Sequence, residues 1–181
     1  MVHSVKDYLN VVITFSIAYV VALACSIGGP EYNGFPIILI CMLISFFMHW
    51  IAFIPSFFLK TEKYNDISGT LAYVCVIVTA LFLTKSESGG TLNVRSAVTI
   101  VLVLIWAIRL GVFLFFRVIK AGEDRRFREV KQKFAKFLVW WSMSALWVFL
   151  TTVNALVMII NNVAYYNDYY FLIGLLIWLG E

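Results

Sequence analysis

Charge is scarce in this 181-residue chain: Asp, Glu, Lys and Arg together make up 13% of it, against 62% hydrophobic residues. Mean hydropathy is +0.92. A soluble domain carries about a quarter of its residues charged, so the balance excludes an ordinary soluble fold and implies a polytopic membrane protein. Cysteine is sparser still, with three residues. Cys25, Cys41 and Cys75 all fall inside apolar runs, with no C-x-x-C pair and no His at metal spacing, which makes them packing residues rather than a redox or metal centre. G-x-G-x-x-G, Walker, H-E-x-x-H and G-x-S-x-G patterns are absent, leaving nucleophilic and metal-hydrolytic chemistry without support. No N-x-S/T sequon marks a luminal loop. Nucleic-acid binding is excluded as well, because the one basic segment is attached to apolar spans and carries no reader motif.

What is present is apolar sequence in six runs, at roughly 9–27, 37–59, 71–84, 97–119, 137–160 and 169–179. Most approach the ~20 residues that cross a ~30 Å hydrocarbon core. The third run is short, and the sixth stops at Glu181 after about a dozen apolar residues, below spanning length. The first run sits beside one lysine and one aspartate and is followed by further spans, so it reads as a retained helix rather than a signal peptide. The expected fold is all-α: a single transmembrane domain over 1–181, a bundle of about six helices.

Lys and Arg set the orientation. With the N-terminus cytoplasmic, that side collects Lys6, Lys60, Lys63, Lys120, Arg125, Arg126, Arg128, Lys131, Lys133 and Lys136, while the opposite loops hold Lys85 and Arg95. If all six segments cross, both termini are cytoplasmic. "GGPEYNGFP" (28–36) and "KSESGGTLNVR" (85–95) read as turns on the far side. Within "KTEKYNDISGT" (60–70), Asp66 or Ser68 suits an N-cap of the third helix, with a ligand contact at Asp66 an equal alternative. Phe127, Val130, Phe134 and Phe137 recur at i, i+3, i+7 and i+10, which predicts an amphipathic interfacial helix over 124–136. Its cations suit anionic lipid headgroups or, alternatively, a nucleotide.

Arg109 raises the sharpest question. It lies ~16 Å along a helix from Lys120, near mid-bilayer, where a charge costs roughly 2.5–3.5 kcal/mol on insertion scales. None of the ten acidic residues lies in the middle of an apolar run, so carbonyls, a water-filled cavity or an anionic ligand are its expected neighbours. Trp106, Arg109, Phe113, Phe116 and Lys120 share one face, as a channel wall or as ordinary helix packing. His49 and Asn154 are further intramembrane polar groups, each suited equally to a structural hydrogen bond or a site. Pro55 cannot donate to the carbonyl of Ile51, so the second helix is expected to open there.

The ordered segments "HWIAFIPSFFLKTEKYNDISGTLAYV" (49–74), "IWAIRLGVFLFFRVIKAGEDRRF" (105–127) and "FLVWWSMSALWVFL" (137–150) resemble the steroid 5-alpha-reductase-like membrane proteins, in their large uncharacterised branch. The specific parts are W-x-x-R-L-G, R-x-x-x-x-G-x-D-x-R-F and the later L-W-V. The resemblance implies a helical bundle that binds NADPH from the cytoplasmic side and reduces a carbon–carbon double bond in a lipid or steroid-like molecule. It places Arg109, Arg117, Asp124 and Arg126 in the cofactor pocket, where guanidinium forks suit phosphate, and Asp66 at its mouth. The Glu and Tyr of the steroid reductases proper fall on apolar positions here, around Phe53 and Trp106. Family members continue to a G-L-W-x-x-S-R-H-P-N-Y-like segment, so a chain ending "LLIWLGE" is expected to be a shortened or fragmentary member. The alternative is a non-catalytic membrane interaction protein that keeps the scaffold. The expected location is the endoplasmic reticulum in a eukaryote or the inner membrane in a bacterium.

Overall fold

In hydrocarbon a backbone must satisfy its own N–H and C=O groups, and the apolar runs answer that demand with helices. The computed structural model describes residues 2–88, 91–121, 127–162 and 169–180. Its helices are α1 (Val2–Ser26), α2 (Ile37–Phe58), α3 (Tyr64–Ser88), α4 (Val94–Ala121), α5 (Phe134–Asn161) and α6 (Tyr169–Gly180). The first five contain stretches long and apolar enough to cross a membrane, whereas α6 has 12 residues.

A two-stranded hairpin joins α1 to α2, with β1 (Glu31–Tyr32) antiparallel to β2 (Phe35–Pro36). Its turn residues Asn33 (φ 51°) and Gly34 (φ 80°) both take positive φ, the Asn-Gly chemistry that a tight two-residue turn requires. α2 continues through Pro55 to Phe58; Leu59 N–H donates to the Pro55 carbonyl at 3.0 Å, while Pro55 itself has no N–H to offer the Ile51 carbonyl.

α5 is the central element and packs against α1, α2, α3 and α4. The main core, with Met42, Phe46, Ile77, Phe149 and Leu156 fully buried, lies between α1, α2, α3 and α5. A second cluster, Phe53, Phe127, Phe137 and Trp141, closes the end of the bundle that carries most of the basic residues. α4 lies against α3 and α5. α6 buries none of its residues.

Two expectations need correction. The third apolar run is the middle of a 25-residue helix, Tyr64–Ser88, because the polar residues flanking it are helical too; ahead of it Asp66, Ser68 and Thr70 turn toward the protein, while Lys85 and Ser86 after it are exposed. The segment expected to be an interfacial α-helix is, over its described part, a 3₁₀ turn (Val130–Gln132) followed by extended Lys133 (φ −116°, ψ 113°), from which α5 departs. Buried contacts account for the break: Phe127 packs tilted against Trp140, 5.0 Å between ring centroids, and Lys131 pairs with Glu62 at 3.0 Å. These contacts hold the chain down on the bundle instead of leaving it flat on a membrane surface.

Candidate functional site

A cavity of about 400 Å³ opens between α3, α4 and α5 at the basic end, with His49 of α2 in its wall. Its α4 side is built from Ala107, Gly111, Leu114 and Val118, positions four, three and four apart that share one helical face. Gly111 has no room for a side chain. A Cβ there would stand 2.8 Å from Thr70 Cβ and 2.9 Å from its Cγ2, so glycine is what lets α4 lie on α3 at this level. One turn further along, Trp106 meets Tyr73 edge to face, 5.3 Å between centroids. Most of the W-x-x-R-L-G sequence is thereby explained as a helix-packing device: its Trp and Gly grip α3, and Leu110 lines the cavity.

Polar groups mark the mouth. α3 begins at Tyr64. Just ahead of it, Thr61 Oγ1 accepts the Lys63 N–H at 3.3 Å and the Glu62 carbonyl accepts the Asn65 N–H at 2.9 Å. Asp66 therefore lies within the first turn, where the helix dipole favours its charge, rather than at the N-cap, and it lines the cavity. Ser68 is not a cap either; its Oγ donates to the Asn65 carbonyl at 2.9 Å. Glu62, only 3% exposed, receives Lys131 Nζ at 3.0 Å. Asn65 Oδ1 is buried with no hydrogen-bond partner.

Much of the remaining wall is apolar and aromatic, with Trp140 and Trp147 from α5 and Phe127 from the connecting turn. His49 is fully buried. Its Nδ1 lies 2.8 Å from the Ser45 carbonyl, which requires a proton on Nδ1, and the Ser45 hydroxyl in turn donates to the Ala145 carbonyl at 2.9 Å. Nε2 is left buried with no partner. The Tyr73 hydroxyl shares a 2.7 Å hydrogen bond with Thr151 Oγ1.

Of the residues singled out from the sequence, Asp66 lines this cavity. Arg109 and Arg117 are exposed on α4 and are not among its lining residues. Arg109 is two residues from Gly111, hence turned about 200° around the helix from the cavity wall. With it, Phe113, Phe116 and Lys120 look outward, so the mixed aromatic and cationic stripe forms the outer face of α4. Asp124 and Arg126 lie outside the described residues. Asn154 is exposed on α5. Sequence reasoning did not pick out Asn65, Thr70, Tyr73 or Gly111 as cavity residues; the small-residue spacing Ala107–Gly111 on one face of α4 was the available signal.

A family model described as a protein of unknown function, DUF1295, matches residues 52–180. No curated protein and no solved structure matches the chain.

Proposed function

The chain belongs to the DUF1295 family, and from that premise we propose that it is a membrane-embedded oxidoreductase of the steroid-reductase type. Its reaction would be NADPH-dependent reduction of a carbon–carbon double bond in a lipid or steroid-like molecule. The observation that carries the proposal is the cavity of about 400 Å³, polar at its mouth and apolar within, walled by the same three segments that bear the resemblance. A pocket of this size suits a small or medium ligand, and its position among membrane helices suits one that arrives from the bilayer.

The residues present fit one end of the cofactor. Asn65 Oδ1, buried and unsatisfied, and the neighbouring Asp66 carboxylate are acceptors for sugar hydroxyls or a carboxamide N–H. Phosphates do not fit inside, since no Lys or Arg lines the cavity among the described residues. They belong instead with the cation-rich segment 120–136, which reaches the site through Phe127 and Lys131 and to which Asp124 and Arg126 belong. When bound, NADPH supplies the hydride. The protein's share is to exclude water with Trp140, Trp147 and Phe127, to hold the sugar end at Asn65 and Asp66, and to keep an apolar chain alongside α4. In this reading the basic end is cytoplasmic, in the endoplasmic reticulum or a bacterial inner membrane.

The outward placement of Arg109 and Arg117 favours a second reading, a membrane interaction protein that keeps the scaffold without cofactor chemistry. A thermal-shift series on the full chain in lipid nanodiscs separates the two. Under the first, NADPH raises the melting temperature more than NADH does, and a steroid or long-chain enone accelerates NADPH oxidation. Absence of any nucleotide shift sinks the reductase reading and leaves the second.

A further inference from the structure

We propose that His49 is the recognition residue of the cavity, and that the cavity takes a lipid-like molecule carrying a hydroxyl, whose proton is donated to His49 Nε2. The proposal deepens the reading of the cavity as a lipid site and rests on it. Three observations combine. His49 is fully buried and is part of the cavity wall. Its Nδ1 is committed to the Ser45 carbonyl at 2.8 Å, so in the neutral ring Nε2 carries a lone pair and can only accept. Nε2 has no partner, and it faces the cavity across Gly69: a Cβ at position 69 would lie 4.0 Å from Nε2 and 4.0 Å from Val148 Cγ2. Glycine at that point puts no side chain over Nε2, which is closed to solvent in this conformation.

The ring cannot turn to serve itself. Its Nδ1 bond is local to α2, Ser45 is tied to α5 through the Ala145 carbonyl, and Trp141 meets the imidazole edge to face at 6.4 Å. Of the other polar groups nearby, the Tyr73 hydroxyl is engaged with Thr151 and Trp50 Nε1 donates to Ser142 Oγ, whereas Trp141 Nε1, on the ring that meets the imidazole, is also buried without a partner. An acceptor with fixed direction, in an apolar surround, discriminates by leaving the wrong ligand's partner unsatisfied. An alcohol supplies the missing proton. An ether or a carbonyl presents only lone pairs to another lone pair. The hydroxyl is thus a recognition element, separate from whichever double bond reacts.

The test uses the full chain in lipid nanodiscs, without nucleotide, and three matched probes: dodecanol, its methyl ether and dodecanal. Melting temperature is followed against probe concentration, since a ligand of the folded state raises it by mass action. Wild type should bind dodecanol roughly three- to tenfold more tightly than the ether or the aldehyde, the worth of one hydrogen bond. His49→Phe should bind all three alike while melting no lower than wild type in their absence, because the orphaned nitrogen disappears with the ring. Gly69→Leu, which leaves His49 and its Ser45 bond in place, should lose the response to every probe. Equal binding of alcohol and ether by wild type, an alcohol preference that survives His49→Phe, or no shift with any probe overturns the proposal. If His49→Phe fails to insert, the wild-type and Gly69→Leu comparisons decide the matter alone. Since no nucleotide is present, a negative result with NADPH and a negative result here remain separate findings.

Discussion

The two ends of the bundle solve the same problem in different ways. At the end opposite the basic residues, backbone groups released by the helix termini are stitched with asparagine. Asn162, in the left-handed conformation (φ 47°) at the end of α5, accepts the Asn93 N–H at 3.0 Å and donates to the Thr91 carbonyl at 2.8 Å. Asn93 Oδ1 in turn accepts the Ser96 N–H at 2.8 Å, and Ser96 Oγ donates to the Met158 carbonyl at 3.3 Å. The basic end has comparable polar material, Glu62, Asn65, Asp66 and Lys131, yet leaves Asn65 Oδ1 without a partner and a cavity beneath it. Each end leaves one amide atom buried without a partner, Asn93 Nδ2 at the far end and Asn65 Oδ1 here, but it is Asn65 that lines the cavity. An unsatisfied acceptor beside a cavity is available to a ligand, at a cost in stability.

The comparison is broken most severely at Gly111. Replacing it with leucine drives a side chain into Thr70 and should destabilise the protein by about 3 kcal/mol or more, beyond ordinary overpacking because backbone must move; thermal melting in detergent should show the loss, or the protein should fail to fold. Next comes Asn162→Ala, which removes two hydrogen bonds and leaves on a left-handed backbone a residue that tolerates it less well than asparagine. A loss of about 2–3 kcal/mol is expected. Asn162→Gly should recover about 1 kcal/mol of it, since the backbone strain is then gone; equal losses would show that the hydrogen bonds alone hold the closed end.

At the open end, a double-mutant cycle on Glu62→Gln and Lys131→Met should return a coupling of about 1–2 kcal/mol, with the pair only slightly exposed to solvent. A coupling near zero would mean that the ion pair is not what fastens the connecting turn to α3. The smallest effect should be at Arg117. It is exposed and outside the cavity, so Arg117→Gln should shift stability by no more than about 0.5 kcal/mol and leave probe binding unchanged.

Hydropathy alone was enough to find the helices, because an apolar run of spanning length has few alternatives in a membrane. It was a poor guide to where they end. α3 starts seven residues before its apolar run, at Tyr64, since hydropathy counts what Asp66, Ser68 and Thr70 are and not that they turn inward. The site was legible in kind but not in membership. Asp66 was visible as a carboxylate crowded between two spans. Arg109 drew attention by its depth, yet depth says nothing about azimuth, and α4 can be rotated by half a turn without changing its hydropathy. The contacts of Gly111 with Thr70 and of Trp106 with Tyr73 settle which face of α4 looks inward. The basic segment after α4 followed an amphipathic period, but its phenylalanines found partners on the bundle, and burial there overrode the helix.

The hairpin at Asn33–Gly34 also bears on how the chain is made. It fastens α1 to α2 through ten residues, so the two helices can enter the bilayer together as soon as α2 has been synthesised. α1, however, packs most extensively on α5, whose first residue is Phe134. At the usual pace of translation, that partner emerges some 5–20 seconds later. For that interval the first helix is tethered but unsupported on its future inner face, and the buried small residues Ala18 and Ala22 face lipid or whatever insertion factor attends them. Assembly of this protein ends where its chain began.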